Sequence, residues 1–437
     1  SVWASAGRLC SLHSRVVLGF HACLNSGRYE LAKNACVRMP PCPTIVLPQT
    51  LIVSNNQSYY RGSPLSEQNY HVLTSKANWI EGEALAQLEH VASLPGMVQC
   101  FGMSDLHPGK GIPIGIAAVS KDVIYPHLAG NDIGCGMGLF RTELKQSKFK
   151  SEKAVKKLSG LNSRWQSDLG HWLAMQDLPT DLADQALGTI GGGNHFAELQ
   201  AVEKVYNTNL CHEIGLDPNR LLLLVHSGSR GMGESILRSQ LATHGTKGLA
   251  TQSLDAEDYL KKHDRAIAWA RANRQLIALR FSGQLNTEHE SILDLCHNSI
   301  SRIRHEGQVL WLHRKGAAPS NAGPVLIPGS RGSLSYLVQP IGEQHRNGWS
   351  LAHGAGRKWN RTSAKARLRG RYTAQSLVKT KLGGYVICED RDLLYEEAPQ
   401  AYKSIDKVIE VMVDKKIARI MATFRPLITY KVRRSHD

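Results

Sequence analysis

Leu221-Leu222-Leu223-Leu224-Val225-His226-Ser227-Gly228-Ser229-Arg230-Gly231 is the stretch from which the fold can be read. Five consecutive apolar residues leave no polar alternation, so they predict a strand buried on both faces. That strand delivers His226 at its end. The Ser-Gly-Ser-Arg-Gly that follows is a small-residue turn whose backbone N–H groups can gather an anion. Working outward, Val309-Leu310-Trp311-Leu312-His313 and Val325-Leu326-Ile327-Pro328 read as further buried strands, and 111–119 is an apolar run between turn signals. Residues 44–60 read as strand-rich. An amphipathic helix is expected over 77–92, with Leu85, Leu88 and Val91 on one face. Helical patterns fill 253–280 and 287–306, one or two helices are expected over 398–421, and 424–432 reads as a final strand. Helices and strands mixed this irregularly predict an α+β class. Polar clusters spread from 105 to 431 predict one catalytic domain, not separable modules.

Composition narrows the partners. Apolar residues make up 42% and charged residues 21%, as in soluble globular chains. No run of apolar residues is long enough for a transmembrane helix. Lys and Arg exceed Asp and Glu by 53 − 37 = 16, which suits a polyanion, nucleic acid before membrane. Residues 357–371 hold seven Lys/Arg and no acid, and 145–157 hold six Lys and read as a solvated helical face. Neither stretch has an apolar amphipathic partner face, which speaks against a membrane-surface role. Nine cysteines without C-x-x-C spacing predict free thiols in a reducing compartment, hence the cytoplasm. Residues 1–38 form a basic leader with five Lys/Arg and one acid, Glu30. It fits an organelle transit peptide. Translation from Met39, ahead of Pro40-Pro41-Cys42-Pro43, fits as well and is preferred, leaving 39–437 as the domain.

Five short clusters carry the chemistry. Asp132 and Cys135 stand three apart in a Gly-rich turn that lets both side chains converge on one ion; a buried thiol beside a turn Asp is the ordinary alternative. Carboxylate favours Mn²⁺ and thiolate favours Zn²⁺, and Cys135 can bridge two ions. Imidazoles come from His195 in Gly193-Asn194-His195-Phe196-Ala197-Glu198, from His226, and from His297 in Cys296-His297-Asn298. Alone, His195 or His297 reads as a core histidine. His353 differs in kind, because Gly354-Ala355-Gly356-Arg357 lets a phosphate approach the backbone. An imidazole there can form a phosphoramidate with a nucleotide phosphorus; a metal ligand or a turn histidine are the alternatives. Pro328-Gly329-Ser330-Arg331-Gly332-Ser333 is a second small-residue turn, suited to a nucleotide or simply ending a strand. Asp105, in Ser104-Asp105-Leu106-His107-Pro108-Gly109, offers an acid/base or orienting carboxylate. Together the clusters describe a metal site beside a nucleotide site.

From Ser104 to Lys431 these motifs follow the order of the RtcB family of RNA ligases, which the chain resembles. The later members are His313-Arg314-Lys315-Gly316-Ala317, Glu396-Glu397-Ala398-Pro399-Gln400-Ala401-Tyr402-Lys403 and Arg425-Pro426-Leu427-Ile428-Thr429-Tyr430-Lys431. The resemblance implies a GTP- and Mn²⁺-dependent ligase that joins RNA ends bearing a 3′-phosphate or 2′,3′-cyclic phosphate to 5′-hydroxyl ends. It implies two Mn²⁺ ions on Asp132, Cys135, His195, His226 and His297, with Cys135 bridging. It implies that His353 attacks the α-phosphorus of GTP to give a His–GMP intermediate, with Asp105 orienting it. The implied nucleotide-binding residues are Asn194, His195, Phe196, Ala197, Glu198, His297, Asn298, Pro328, Gly329, Ser330, Arg331, Ser335, His353, Gly354, Ala355, Gly356, Tyr402 and Lys431. Arg230 and Arg361 would grip RNA phosphates. A monomer that accepts a protein activator or repair partner is expected.

One departure stands out. After Cys135 the chain reads Gly136-Met137-Gly138, where the family's common pattern is Gly-Val-Arg. The exchange removes an arginine expected at the substrate end, and suggests a divergent, bacterial-type branch serving RNA repair. Three rival activities remain: a metal phosphodiesterase that only opens cyclic phosphates, a 3′-phosphate guanylyltransferase that never seals, and a basic RNA-binding protein on an inactive scaffold.

Overall fold

The leucine run forms the strand Arg220–Ser227, and its pleat divides the side chains between two cores. Leu221, Leu223 and Val225 pack with Ile277 and Phe281 of the long helix Leu254–Gln284. Leu222 and Leu224 point the other way, to Leu337, Met421 and Phe424. The structure, a computed structural model, describes residues 69–433. The expected leader over 1–38, the boundary at Met39 and the strand-rich reading of 44–60 lie outside the described residues.

Arg220–Ser227 belongs to an eight-stranded sheet. Its order is Val325–Ile327, Ser335–Pro340, Ala418–Val432, Phe196–Val205, Arg220–Ser227, Gly136–Lys145 and His289–Cys296, each antiparallel to the next. Tyr385–Cys388 adds to Ala418–Val432 in parallel. A second sheet has five strands, in the order Tyr70–Val72, Met97–His107, Ile114–Ser120, Gln308–Lys315 and Asn298–His305. The helix Gly82–Ala92 seats Leu88 and Val91 on it, and Val408 and Met412 of Ile405–Asp414 pack against Phe101 and Met103. With helices and sheets interleaved in one domain, the class is α+β, as expected. Among the described residues no helix is long and apolar enough to cross a membrane.

Three element readings are corrected. Residues 287–306 are not helical: His289–Cys296 pairs with Gly136–Lys145, and Asn298–His305 pairs with Gln308–Lys315. Ile292 and Leu295, like Ile300 and Ile303, have helical spacing. Ladder pairing to strands distant in sequence outweighs that local preference. The chain therefore leaves one sheet and enters the other at a single residue, His297. The first helix begins at Gly82, not 77, because Asn78 donates its side-chain amide to the Ser104 carbonyl at 2.6 Å and holds the chain off the helical path. The last strand begins at Ala418, leaving one helix, Ile405–Asp414, within 398–421.

Candidate metal and nucleotide site

Asp132, Cys135, His195, His226 and His297 meet where the two sheets adjoin. Their ligand atoms form two overlapping triples that share Cys135: Cys135 with His226 and His297, and Cys135 with Asp132 and His195, each within 4.8 Å. Cys135 Sγ lies 3.2 Å from His226 Nε2 and 3.4 Å from His195 Nε2, and Asp132 Oδ2 lies 2.8 Å from His195 Nε2. The backbone fixes this convergence. The His297 N–H donates to the Cys135 carbonyl at 2.8 Å, and the Gly134 N–H donates to the Asn298 carbonyl at 2.8 Å. Asn298 adds a side-chain bond to the Asp132 carbonyl at 3.1 Å.

The protonation states suit a divalent cation. Burial, reinforced by neighbouring imidazoles, holds His226 and His297 well below the ordinary histidine range, so both are neutral and keep a lone pair. His226 Nδ1 faces the Asn194 carbonyl at 3.2 Å, which leaves Nε2 turned toward the thiol. Burial works against the Asp132 carboxylate, but His195 outweighs it and the group stays ionised. Burial, then Asp132, pushes the Cys135 thiol well up, so a cation is what would make it a thiolate. Thiol, carboxylate and imidazoles in two triples around one sulfur fit a divalent cation of the Mn²⁺ or Zn²⁺ kind.

His353 stands beside this group, its ring centroid 4.8 Å from that of His297. It follows the short strand Ser350–Ala352 and sits over Asp105, whose side chain is fully buried. Asp105 Oδ2 lies 2.7 Å from His353 Nδ1 and accepts the His353 backbone N–H at 3.2 Å. The Nδ1 contact is a close charge pair and not an aligned hydrogen bond, and Nε2 has no protein partner among the described residues. Two glycines with positive φ make room for the pair. A Cβ at Gly115 would lie 2.9 Å from Asp105 Oδ1, and one at Gly316 would lie 2.9 Å from His353 Cε1.

A cleft of about 310 Å³ opens over the metal group and His353. Of the residues nominated for a nucleotide, Asn194, Phe196, Glu198, His297, Asn298, Pro328, Gly329, Ser330, Arg331, Tyr402, Lys431 and the 353–356 turn line it, as does Arg361. Burial pushes the Glu198 carboxyl up to about 7, although Thr429 and Gln200 donate to it. Burial lowers Lys431, whose Nζ lies 5.8 Å over the Phe196 ring. The Tyr402 hydroxyl donates to Glu397, which also takes Arg357 at 3.0 Å.

Others fall elsewhere. Ala197 points into the core with Leu199 and Val225. Ser335 is buried and takes hydrogen bonds from Gln200 at 3.0 Å and the Gly329 N–H at 3.4 Å, supporting the turn from behind. Arg230 lies under Gly191 with Nη1 3.2 Å from His195 Nδ1, against the metal group and outside the cleft lining. Its φ of +59° is one few non-glycine residues adopt.

Two residues escaped the sequence reading. Lys315 lines the cleft, and burial lowers it to about 8; its place in the His313-to-Ala317 motif was the available signal. Arg274, in the long helix, is fully buried and gave no signal beyond a charge in an otherwise apolar face. It bonds Asp294 at 2.6 and 2.7 Å, the Gly134 carbonyl at 2.8 Å, the Ser227 carbonyl at 2.7 Å and Cys296 Sγ at 3.4 Å. Those groups neighbour Cys135, His226 and His297. The structure also corrects the reading of Gly138. It pairs with Asp294, its Cβ position lies 3.4 Å from the Asp294 carboxylate, and its neighbour Met137 is the one that lines the cleft. The exchange at 138 therefore does not strip the cleft of an arginine.

Comparison with known proteins agrees over most of the chain. A family model described as "tRNA-splicing ligase RtcB" matches residues 87–177 and 168–432. The chain is 46% identical over 372 residues to the RNA-splicing ligase RtcB2 of Escherichia coli, covering 84% of this chain and 97% of that protein. It is 31% identical over 430 residues to the RNA-splicing ligase RtcB of Mycobacterium tuberculosis, covering 78% and 99%. It is 30% identical over 441 residues to the tRNA-splicing ligase RtcB of Thermococcus kodakarensis, covering 79% and 90%.

Proposed function

We propose that this chain, which belongs to the RtcB family, is an RNA ligase that uses GTP and Mn²⁺ to join 3′-phosphate or 2′,3′-cyclic phosphate ends to 5′-hydroxyl ends. The observation that carries the mechanism is the placement of His353: one ring nitrogen on buried Asp105, the other open to a cleft with a two-triple metal group on its wall. Asp132, Cys135, His195, His226 and His297 would hold two Mn²⁺ ions. When bound, such ions neutralise phosphate charge that would otherwise repel a nucleophile.

The chain's own groups account for the rest. Asp105 keeps the proton on His353 Nδ1, so Nε2 presents its lone pair to the α-phosphorus of GTP. An N–P bond forms as the bond to pyrophosphate breaks. The guanylate then passes to an RNA 3′-phosphate oxygen, breaking the N–P bond and restoring His353. The 5′-hydroxyl attacks the activated phosphorus and GMP leaves. A cyclic end must first be opened by water. Lys315, Lys431 and Arg361 supply positive charge along the cleft, and Glu198, which also lines it, would accept the N–H edge of guanine. The reading carries with it a reducing, cytoplasmic setting, since Cys135 must remain a free thiol.

The test is incubation with α-labelled GTP and Mn²⁺, followed by denaturing electrophoresis and mapping of the label. Mn²⁺-dependent label on His353, released as GMP when RNA ends are sealed, is expected. Labelled RNA that accumulates unsealed would make the protein a guanylyltransferase. No label on protein that binds Mn²⁺ would leave a phosphodiesterase.

Glu198 gives a pH prediction. Burial pushes this carboxyl up to about 7, so the protonated acid prevails below that pH and can no longer accept from both N–H groups of guanine. GTP affinity should therefore rise as pH increases through 7. Glu198→Gln should flatten that dependence and reduce the preference for GTP over ATP by about 10-fold or more. Equilibrium titration with a fluorescent guanine nucleotide across pH reads both; a wild-type profile no steeper than the variant's would remove Glu198 from guanine recognition.

A further inference from the structure

The six lysines of 145–157 stand apart from the cleft residues. Lys145, Lys148, Lys150, Lys153, Lys156 and Lys157 are all exposed, and none pairs with an acid among the described residues. Several other surface lysines are each paired with an acid: Lys261 with Glu257 at 2.7 Å, Lys262 with Asp258 at 2.6 Å, Lys407 with Glu410 at 2.6 Å. The one acid in the stretch, Glu152, is taken by the Tyr385 hydroxyl at 3.0 Å. A merely solvated face gains from alternating signs, so unopposed like charge this dense raises the free energy of the isolated chain. Five of the six lysines, all but Lys156, rim a hollow of about 350 Å³ whose floor is Phe149 with Leu144 and Leu285. Phe149 is half-buried: it packs against the core beside Leu285 and also lines the hollow among the lysines.

Hydrogen bonds and packing join the elements around the hollow to elements that line the cleft. The helix Ser151–Lys157 is held to the last strand by Arg433, which donates to the Val155 and Leu158 carbonyls at 2.7 and 3.1 Å, two residues beyond Lys431 of the cleft. On its other side, Tyr385 carries Lys379 over its ring at 5.6 Å, with exposed Lys381 nearby in sequence. Tyr385–Cys388 packs through Val386 against Leu394 and against Leu368 of the basic helix Arg361–Arg369, whose first residue lines the cleft.

We propose that the 145–157 hollow is a second RNA-binding surface, which takes an unpaired segment of the substrate RNA away from the ends being joined. Phosphates lie on the lysines and a base stacks on Phe149, the combination that holds single strands without reading sequence. The proposal rests on the RNA ligase reading above. It assigns the protein a preference for long, folded RNA over short oligonucleotides.

The experiment compares wild-type protein with Lys150→Glu/Lys153→Glu/Lys157→Glu and with Phe149→Leu, which keeps an apolar floor but loses the ring. Affinity is measured over a range of salt for a broken RNA hairpin of transfer-RNA size and for a same-ended oligonucleotide too short to leave the cleft. Covalent guanylylation is measured alongside. The triple variant should bind the long RNA on the order of 10²-fold more weakly at about 0.1 M salt, with a salt slope smaller by about 2. Short-RNA affinity and guanylylation should be unchanged. Phe149→Leu should weaken long-RNA binding about 5-fold or more with the salt slope intact. Unchanged long-RNA binding in the triple variant overturns the second surface while leaving the ligase reading standing. Wild-type protein that binds neither RNA overturns both. Capture of wild-type but not variant protein by anionic phospholipid vesicles, with long-RNA binding equal in the two, reassigns the hollow to a lipid surface.

Discussion

Asp105→Asn should reduce the rate of covalent GMP capture by about 10²–10⁴-fold while leaving GTP affinity within a few-fold of wild type. The carboxylate lies 2.7 Å from His353 Nδ1 and accepts the His353 backbone N–H at 3.2 Å. An amide can turn its N–H₂ toward Nδ1, and the imidazole proton then moves to Nε2. The nucleophile would carry a hydrogen where the lone pair is needed. Asp105 is fully buried, so water cannot replace the lost carboxylate. His353→Ala should remove the covalent product altogether, and the double variant should be no worse than His353→Ala, because the two act as one unit. Rapid-quench labelling with α-labelled GTP, paired with equilibrium nucleotide binding, separates the step from the affinity. A variant that labels at the wild-type rate would mean that Asp105 only supports the backbone.

Arg274→Met should cost about 3–5 kcal/mol in stability and weaken Mn²⁺ binding by about 10–100-fold. Burial opposes the charge, but Asp294 and Cys296 beside it keep the guanidinium protonated. Its loss leaves Asp294 at low exposure with only Arg271, 3.9 Å away, and frees the Gly134 and Ser227 carbonyls, next in sequence to Cys135 and His226. Arg274→Lys should recover part of the stability and little of the metal affinity, since an ammonium cannot reach both carbonyls and the carboxylate at once. Thermal melts report the first quantity, and Mn²⁺ titration followed by electron paramagnetic resonance reports the second. Wild-type metal affinity in a destabilised Arg274→Met protein would confine Arg274 to the core.

The site was more legible than the scaffold. Ligand-type residues flanked by glycine, such as Asp132 with Cys135 or His353 with Gly354 and Gly356, announce themselves because tight backbone and reactive side chains coincide. Leu221–Val225 was equally plain, since a strand buried on both faces has no polar residues to blur it. Residues 287–306 misled because Ile292 with Leu295 and Ile300 with Ile303 keep helical spacing, and the strands that claim them lie more than a hundred residues away in Gly136–Lys145 or follow in Gln308–Lys315. His297 was consequently placed on a helix when it occupies the single residue between two sheets. Arg274 was invisible for a related reason: its partners come from the 134, 227, 294 and 296 positions, which only the folded chain assembles.

The crossing at His297 has a mechanical meaning. Cys135 and His226 are carried at the ends of strands of the larger sheet, whereas Asp105, and through it His353, is carried by Met97–His107 of the smaller one. The gap between His353 and the Cys135–His226 group is therefore set by how the two slabs are registered against each other. Leu295, from the larger sheet, and Ala317, whose N–H bonds the His297 carbonyl, flank that crossing in a core to which both sheets contribute, and their bulk would act as a shim for this gap. A change of one methylene there would leave every reactive group in place and still detune the enzyme.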